Sequence, residues 1–112
     1  VFVLDDRQLR KLDRWQVLLH RSQTLRLFDL HRWLGVAAPA DEPRHVVVAQ
    51  VEGERYGFIV NRVHGREEVV IKPLGALLRG LAGLAGATVT GDGRVALILD
   101  LPGVVRAVDA SE

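Results

Sequence analysis

The residues of this chain that could carry out chemistry are its histidines, its serines and its paired carboxylates. No two of the four histidines have the i, i+4 spacing that places two metal ligands on one helix face; they are His20, His31, His45 and His64. The sequence has no cysteine, which excludes thiolate ligands, thiolate catalysis and disulfides. The spacing therefore predicts surface histidines and no metal site.

The serines and carboxylates give no stronger indication of an enzyme. Ser22 and Ser111 lie in neither a Gly-x-Ser-x-Gly elbow nor a sequence with an adjacent base. Glu67 and Glu68 are neighbours, and neighbours on a strand point to opposite faces, so they could not share one substrate. We therefore expect a non-catalytic chain with no catalytic residue and no cofactor.

Basic residues in the first third of the chain raise a different possibility, nucleic-acid binding. The aromatic residues Trp15, Phe28 and Trp33 are interleaved among Arg7, Arg10, Lys11, Arg14, Arg21, Arg26 and Arg32. Small β-barrels bind single strands with basic grooves and stacking aromatics. The formal net charge of the whole chain is only +1, which is weak for phosphate binding. A single-stranded nucleic-acid-binding barrel is kept as a less favoured alternative.

Short strand-forming runs dominate the 112 residues, which suffice for one domain. Glycines in Glu52-Gly53-Glu54 and Gly91-Asp92-Gly93 predict two tight hairpin turns. The predicted strands are Trp15–Leu19, Thr24–Phe28, His45–Val51, Arg55–Val60, Glu68–Lys72, Ala87–Thr90 and Arg94–Leu99. This pattern predicts an all-β fold, a small barrel or sandwich. Val69-Val70-Ile71 is apolar at every position, so we expect protein to cover both of its sides.

Helices are predicted only as short pieces. Asp5 or Asp6 could cap a turn through Leu12, and Asp29 to Gly35 reads as one helix with a glycine stop. A closing helix is expected from Leu101 to Val108. The glycine-rich run from Leu74 to Leu84 is expected to be a loop with one turn.

Several features predict a part of a longer cytoplasmic protein. No apolar stretch approaches the roughly 18 to 20 residues that cross a bilayer. The absence of cysteine suits a reducing compartment. The first residue is Val1, and the run to Leu4 reads as the end of a strand whose partners lie upstream. We therefore expect a cytoplasmic domain that forms the C-terminal fragment of a longer chain.

Two motifs near the end of the chain resemble a known family. Gly65 to Leu74 reads G-R-E-E-V-V-I-K-P-L, and Gly86 to Asp100 reads G-A-T-V-T-G-D-G-R-V-A-L-I-L-D. Together with Leu25 to Gly35, these segments resemble the CheW-like regulatory domain at the C-terminus of CheA-type chemotaxis histidine kinases. The chain departs from that pattern at Arg21-Ser22, where the family usually has Arg-Gly, and at Arg26, which replaces a proline.

The resemblance implies a fold of two small five-stranded β-barrels, of the SH3 or OB kind, that share a core. The family domain begins with about two more strands before a stretch like Val1–Leu4, so the first barrel would be incomplete here. The expected organisation is a single domain over residues 1–112. Its subdomains would be roughly residues 1–35 with the C-terminal end, and residues 44–100.

The resemblance also implies a function in two-component signal transduction. In the family this domain docks the CheW coupling protein and the cytoplasmic tip of chemoreceptors, so that receptor state controls the kinase. The chain would then be recruited to membrane receptor arrays without inserting into the membrane. The matching strands suggest Val70, Lys72, Leu97 and Leu99 as partner contacts, although burial statistics favour the alternative that these residues belong to the core. A stand-alone CheW-like coupling protein is the main alternative.

Overall fold

Residues 1–12, 15–37, 41–72 and 83–110 are the described part of the computed structural model. They form two compact units, one within Val1–His64 and one within Gly65–Glu112. The elements in chain order are β1 (Phe2–Val3), a 3₁₀ turn (Asp6–Gln8), β2 (Leu9–Leu12), β3 (Trp15–His20), β4 (Gln23–Asp29), α1 (Leu30–Leu34), β5 (His45–Val51), β6 (Glu54–Val60), β7 (Leu84–Val89), β8 (Val95–Leu99) and α2 (Leu101–Ala110).

The first unit is built on one six-stranded sheet with the strand order β1-β5-β6-β4-β3-β2. Neighbouring strands are antiparallel except for β4 and β6, which are parallel. Helix α1 follows β4 directly. Its ends match the sequence prediction: the Asp29 side chain accepts hydrogen bonds from the backbone N–H groups of His31 and Arg32, and Gly35 has a φ of 72°.

One face of this sheet forms the hydrophobic core of the first unit. The core consists of Leu4, Leu18, Leu25, Leu27, Val46 and Ile59. The sheet curls so far that the ring of Phe2 on β1 stacks on the ring of His20 on β3, with 4.5 Å between centroids. Gly57 is required where β6 crosses this core. A Cβ there would lie 2.6 Å from a Leu27 methyl and 2.8 Å from a Val46 methyl.

The opposite face of the same sheet carries aromatic side chains. Phe28, Tyr56 and Phe58 are buried, and the ring centroid of Phe28 lies 5.5 Å from that of Tyr56 and 5.6 Å from that of Phe58. The guanidinium of Arg26 lies 3.6 Å from the centroid of the Trp15 ring. Such cation–π stacking lets a charged side chain lie among apolar groups. Arg26, which stands where the family usually has a proline, is thus accommodated by the Trp15 ring.

The turn between β3 and β4 is strained in a way that predicts a stabilising substitution. Arg21 and Ser22 have φ values of 51° and 62°, in the left-handed region that disfavours residues with a Cβ. Replacing Ser22 with glycine is expected to raise the free energy of unfolding by about 0.5–1 kcal/mol, because glycine adopts this backbone without strain. The greater freedom of glycine in the unfolded chain offsets part of that gain. Urea denaturation checks this. Ser22→Ala, which keeps the Cβ, should give no gain; an equal gain from both variants would refute the turn geometry.

The second unit contains the β7–β8 hairpin and α2. The predicted turn at Gly91-Asp92-Gly93 forms, with Gly93 at a φ of 84°. The backbone N–H of Thr90 donates to the carbonyl of Arg94 over 2.8 Å, which extends the hairpin beyond the two strands. Lys72 adds an isolated antiparallel bridge to Ala87 on the other side of β7.

The structure confirms the all-β class with short helices, and it corrects three local predictions. The helical turn predicted through Leu12 stops at Gln8, because the following residues pair with β3 as strand β2. The strand predicted at Glu68–Lys72 pairs only at Lys72. Val69-Val70-Ile71 is exposed rather than covered on both sides, because strand pairing of this run begins only at Lys72.

The loop predicted over 74–84 lies mostly outside the described residues; Leu84 itself begins β7. The expected grouping of residues 1–35 with the C-terminal end, and of residues 44–100, stays a prediction.

Candidate protein interface

The pairing register of the second unit places a row of side chains on one face of the hairpin. Ala87 lies opposite Leu97 on β8 and opposite Lys72 on its other side. Val89 and Val95 form the next facing pair on the same side of β7 and β8, because alternate residues of a strand share a face. We call Lys72, Ala87, Val89, Val95 and Leu97 the β7–β8 face.

The β7–β8 face is apolar and exposed. The exposed fractions are 59% for Val89, 72% for Val95 and 50% for Leu97. Single exposed apolar residues are ordinary on protein surfaces, whereas neighbouring ones on a single rigid element are typical of interaction sites. Lys72 is the one charged residue of this set. The arrangement can bury apolar surface against another molecule, with a cation at its edge.

The four predicted contact residues all lie on or beside this face. Lys72 and Leu97 flank Ala87 directly. Val70 precedes Lys72 by two residues and is 78% exposed, so the alternative that it is a core residue is wrong. Leu99 is half-buried and lies opposite Leu84, next to an irregularity in the register.

Sequence reasoning missed Val89 and Val95 as members of the face. The signal for Val95 was present, because Val95, Leu97 and Leu99 alternate along a predicted strand and must share one side. Assigning Val89 to the face requires the hairpin register, which follows from the turn at Gly91–Gly93. The turn itself is held by the hydroxyl of Thr90, which donates to the carboxylate of Asp92.

The histidines do not converge on a site in the described part of the chain. His20 stacks on Phe2, Nδ1 of His31 lies 4.0 Å from the Asp29 carboxylate, and Nδ1 of His45 lies 3.2 Å from the carbonyl of Asn61. Within residues 1–12, 15–37, 41–72 and 83–110, no cluster of three histidine or carboxylate side chains has the geometry of a metal site.

Two carboxylates of the first unit, Asp5 and Glu42, have pKa values shifted by simple causes. Hydrogen bonds from the guanidinium of Arg7 lower the pKa of Asp5, and those from Arg62 lower the pKa of Glu42. These are surface ion pairs of a kind that contributes little to stability. They indicate no acid or base prepared for catalysis.

These observations define a small, mainly β domain whose second unit presents an apolar sheet face. Comparison with known families makes the assignment specific, because the CheW-like domain model matches residues 2–109. The chain belongs to the CheW-like domain family. No helix in the described ranges has the length and apolar character needed to cross a membrane.

Similar proteins include chemotaxis proteins and a sensor histidine kinase. The chain is 31% identical over 97 residues to the chemotaxis protein CheA of Treponema pallidum and 38% identical over 96 residues to the sensor histidine kinase CheAY of Helicobacter pylori, covering 84% of this chain in each case. It is also 38% identical over 88 residues to CheA of Klebsiella aerogenes, covering 77% of this chain. The match spans 12% of the first two relatives and 14% of the third. This homology links the domain to chemotaxis signalling.

Proposed function

We propose that this chain is the regulatory domain of a CheA-type histidine kinase. It acts as a non-catalytic adaptor that docks the CheW coupling protein and the cytoplasmic tips of chemoreceptors, and thereby controls kinase activity. The exposed β7–β8 face is the observation that supports docking most directly. The domain would work in the cytoplasm, at receptor arrays to which its partners recruit it.

The β7–β8 face suits docking in its composition and rigidity. Fully burying an exposed Val or Leu side chain is worth about 1.5–3 kcal/mol, so a few such residues can carry much of a binding energy. They sit on paired strands, so little conformational freedom is lost on binding. We propose Val70, Lys72, Leu97 and Leu99 as contacts, with Lys72 at the rim. Val89 and Val95 join them because they share the face.

Binding to CheW from the same organism tests this function. Purified chain should capture CheW, and the affinity should change little between low and physiological salt, because the contact is mainly apolar. A labelled single-stranded oligonucleotide offered in parallel should not bind. Strong, salt-sensitive oligonucleotide binding without CheW capture would instead support the nucleic-acid alternative.

A stand-alone CheW-like coupling protein is the second candidate. It shares the fold and the exposed face, and it differs in what the gene encodes upstream. A dimerisation and ATP-binding region directly preceding this sequence in one reading frame supports the kinase proposal, and a short gene without such a region supports the coupling protein. The kinase proposal is preferred because the compared relatives are CheA-type proteins.

A further inference from the structure

A groove in the first unit is lined by residues of helix α1 and of the end of β6. Its apolar lining includes Leu30, Leu34, Val36 and Val60. Leu34 and Val36 are 46% and 58% exposed, so this apolar surface is open to a partner. The groove volume of about 420 Å³ is typical of clefts that bind ligands. We call this feature the α1 groove.

Hydrogen bonds hold both sides of the α1 groove in place. Gly35 turns the chain out of helix α1, and the backbone N–H of Val36 then donates to the carbonyl of His31 over 2.9 Å. Beyond β6, the carbonyl of Asn61 lies 3.2 Å from Nδ1 of His45. The exposed apolar side chains therefore lie on a preformed surface, and little conformational freedom is lost when a partner covers them.

The polar side chains of the α1 groove are suited to an acidic group. They are the guanidinium of Arg62, the amide of Asn61 and the imidazoles of His31 and His64. None of the described residues that line the groove is a carboxylate. A guanidinium has donors and no acceptor, and its bonds to carboxylates are among the strong hydrogen bonds of proteins.

A carboxylate of the chain itself already binds to these polar side chains. Glu42, in the loop before β5, accepts a hydrogen bond from the guanidinium of Arg62 on one oxygen, and the amide nitrogen of Asn61 lies 3.5 Å from the other. The pKa of Glu42 is lowered chiefly by the contact with Arg62. Exposed ion pairs of this kind contribute little to stability, so the carboxylate of a partner could replace that of Glu42.

We propose that the α1 groove docks a short protein segment that carries a carboxylate next to apolar side chains. The apolar side chains cover Leu34 and Val36, and the carboxylate binds Arg62 and Asn61. Glu42 occupies the carboxylate position in the free chain and competes with the partner. The apolar lining alone would accept any apolar segment, whereas the contact with Glu42 favours an acidic one. This docking surface includes no residue of the β7–β8 face and does not rest on the proposed function.

Fluorescence anisotropy with a labelled peptide tests this docking. The probe is a short helical peptide with leucines one turn apart and glutamates beside them, and its control has glutamine in place of each glutamate. The acidic peptide should bind at least about fivefold more tightly than the control, because hydrogen bonds to a charged acceptor are stronger. Arg62→Gln should abolish that preference. Leu34→Glu should weaken binding at least about tenfold, because docking would bury the new charge.

Glu42→Gln gives a result that a merely structural ion pair would not. Removing the competing carboxylate should strengthen binding of the acidic peptide by about two- to fivefold, because the site is then free in a larger fraction of chains. Arg55→Gln is the matched control for Arg62→Gln. Arg55 is exposed on β6 and donates to the side chain of Gln23, so its loss should change peptide binding less than about twofold. Circular dichroism of all variants should match that of the unaltered chain.

Preference for the acidic peptide, lost in Arg62→Gln and strengthened in Glu42→Gln, supports the inference. Equal binding of both peptides overturns it, and so does the absence of binding. A Glu42→Gln variant that binds the acidic peptide no more tightly than the unaltered chain overturns it too, because Glu42 would then not compete for the site. Binding to phosphatidylglycerol vesicles without binding to the peptide would identify a membrane surface as the ligand and also overturn it. None of these results bears on CheW docking by the β7–β8 face.

Discussion

Replacing Leu97 with glutamate is expected to weaken CheW binding by about a hundredfold or more while the domain stays folded. Leu97 lies directly opposite Ala87 in the β7–β8 face, two residues from Val95 on β8, and is 50% exposed before any partner binds. Docking would bury the new carboxylate, and burying a charge without a matched partner is strongly unfavourable. Isothermal titration calorimetry with CheW gives the change in affinity.

Leu19→Glu is the matched control for that experiment. Leu19 is also a strand leucine, on β3 of the first unit, and is 67% exposed. The same substitution there should leave CheW affinity within about twofold, since surface changes away from an interface are usually small. Thermal melting of both variants should resemble that of the unaltered chain. Equal loss of binding in the two variants would contradict a contact centred on the β7–β8 face.

Replacing Ile59 with alanine is expected to lower the free energy of unfolding by about 2–5 kcal/mol, enough to unfold a marginal domain. Ile59 is 1% exposed and pairs with Val46 across β5 and β6 in the core of the curled sheet. Neighbours such as Leu27 belong to paired strands and cannot collapse fully into the space left by the lost methyl groups. Denaturant unfolding followed by circular dichroism measures the change.

Ile71→Ala is the control that distinguishes the effect of burial on stability from the effect of the residue type. Ile71 is 51% exposed in the second unit, so the same truncation removes much less apolar contact. We expect a loss below about 1 kcal/mol. If Ile71→Ala proved as destabilising as Ile59→Ala, the assignment of the core to the first-unit sheet would be wrong.

Much of the first unit could be predicted because its signals are local. The hairpin at Glu52–Glu54 and the helix between Asp29 and Gly35 depend on turn chemistry and capping, both of which neighbouring residues decide. The run after Gln8 was misjudged for the opposite reason. Leucines three apart fit a short helix, but pairing with β3 decides the conformation, and that pairing depends on residues distant in sequence.

The candidate interface could be predicted only in part for the same reason. Strand alternation indicates which residues of β8 share a side, but it does not say which side is exposed. Val70 and Leu97 have the composition of core residues, and only the exposed positions in the structure distinguish a docking face from a core. Val89 joins the face through the register of a hairpin.

The central claim is that the β7–β8 face docks the coupling protein, and NMR of a chain with labelled valine and leucine methyl groups tests it most directly. Titration with unlabelled CheW should shift or broaden the methyl signals of Val89, Val95 and Leu97, while those of the core residues Leu18 and Leu25 stay unchanged. Binding that leaves the Val89, Val95 and Leu97 methyls unaffected would contradict the account.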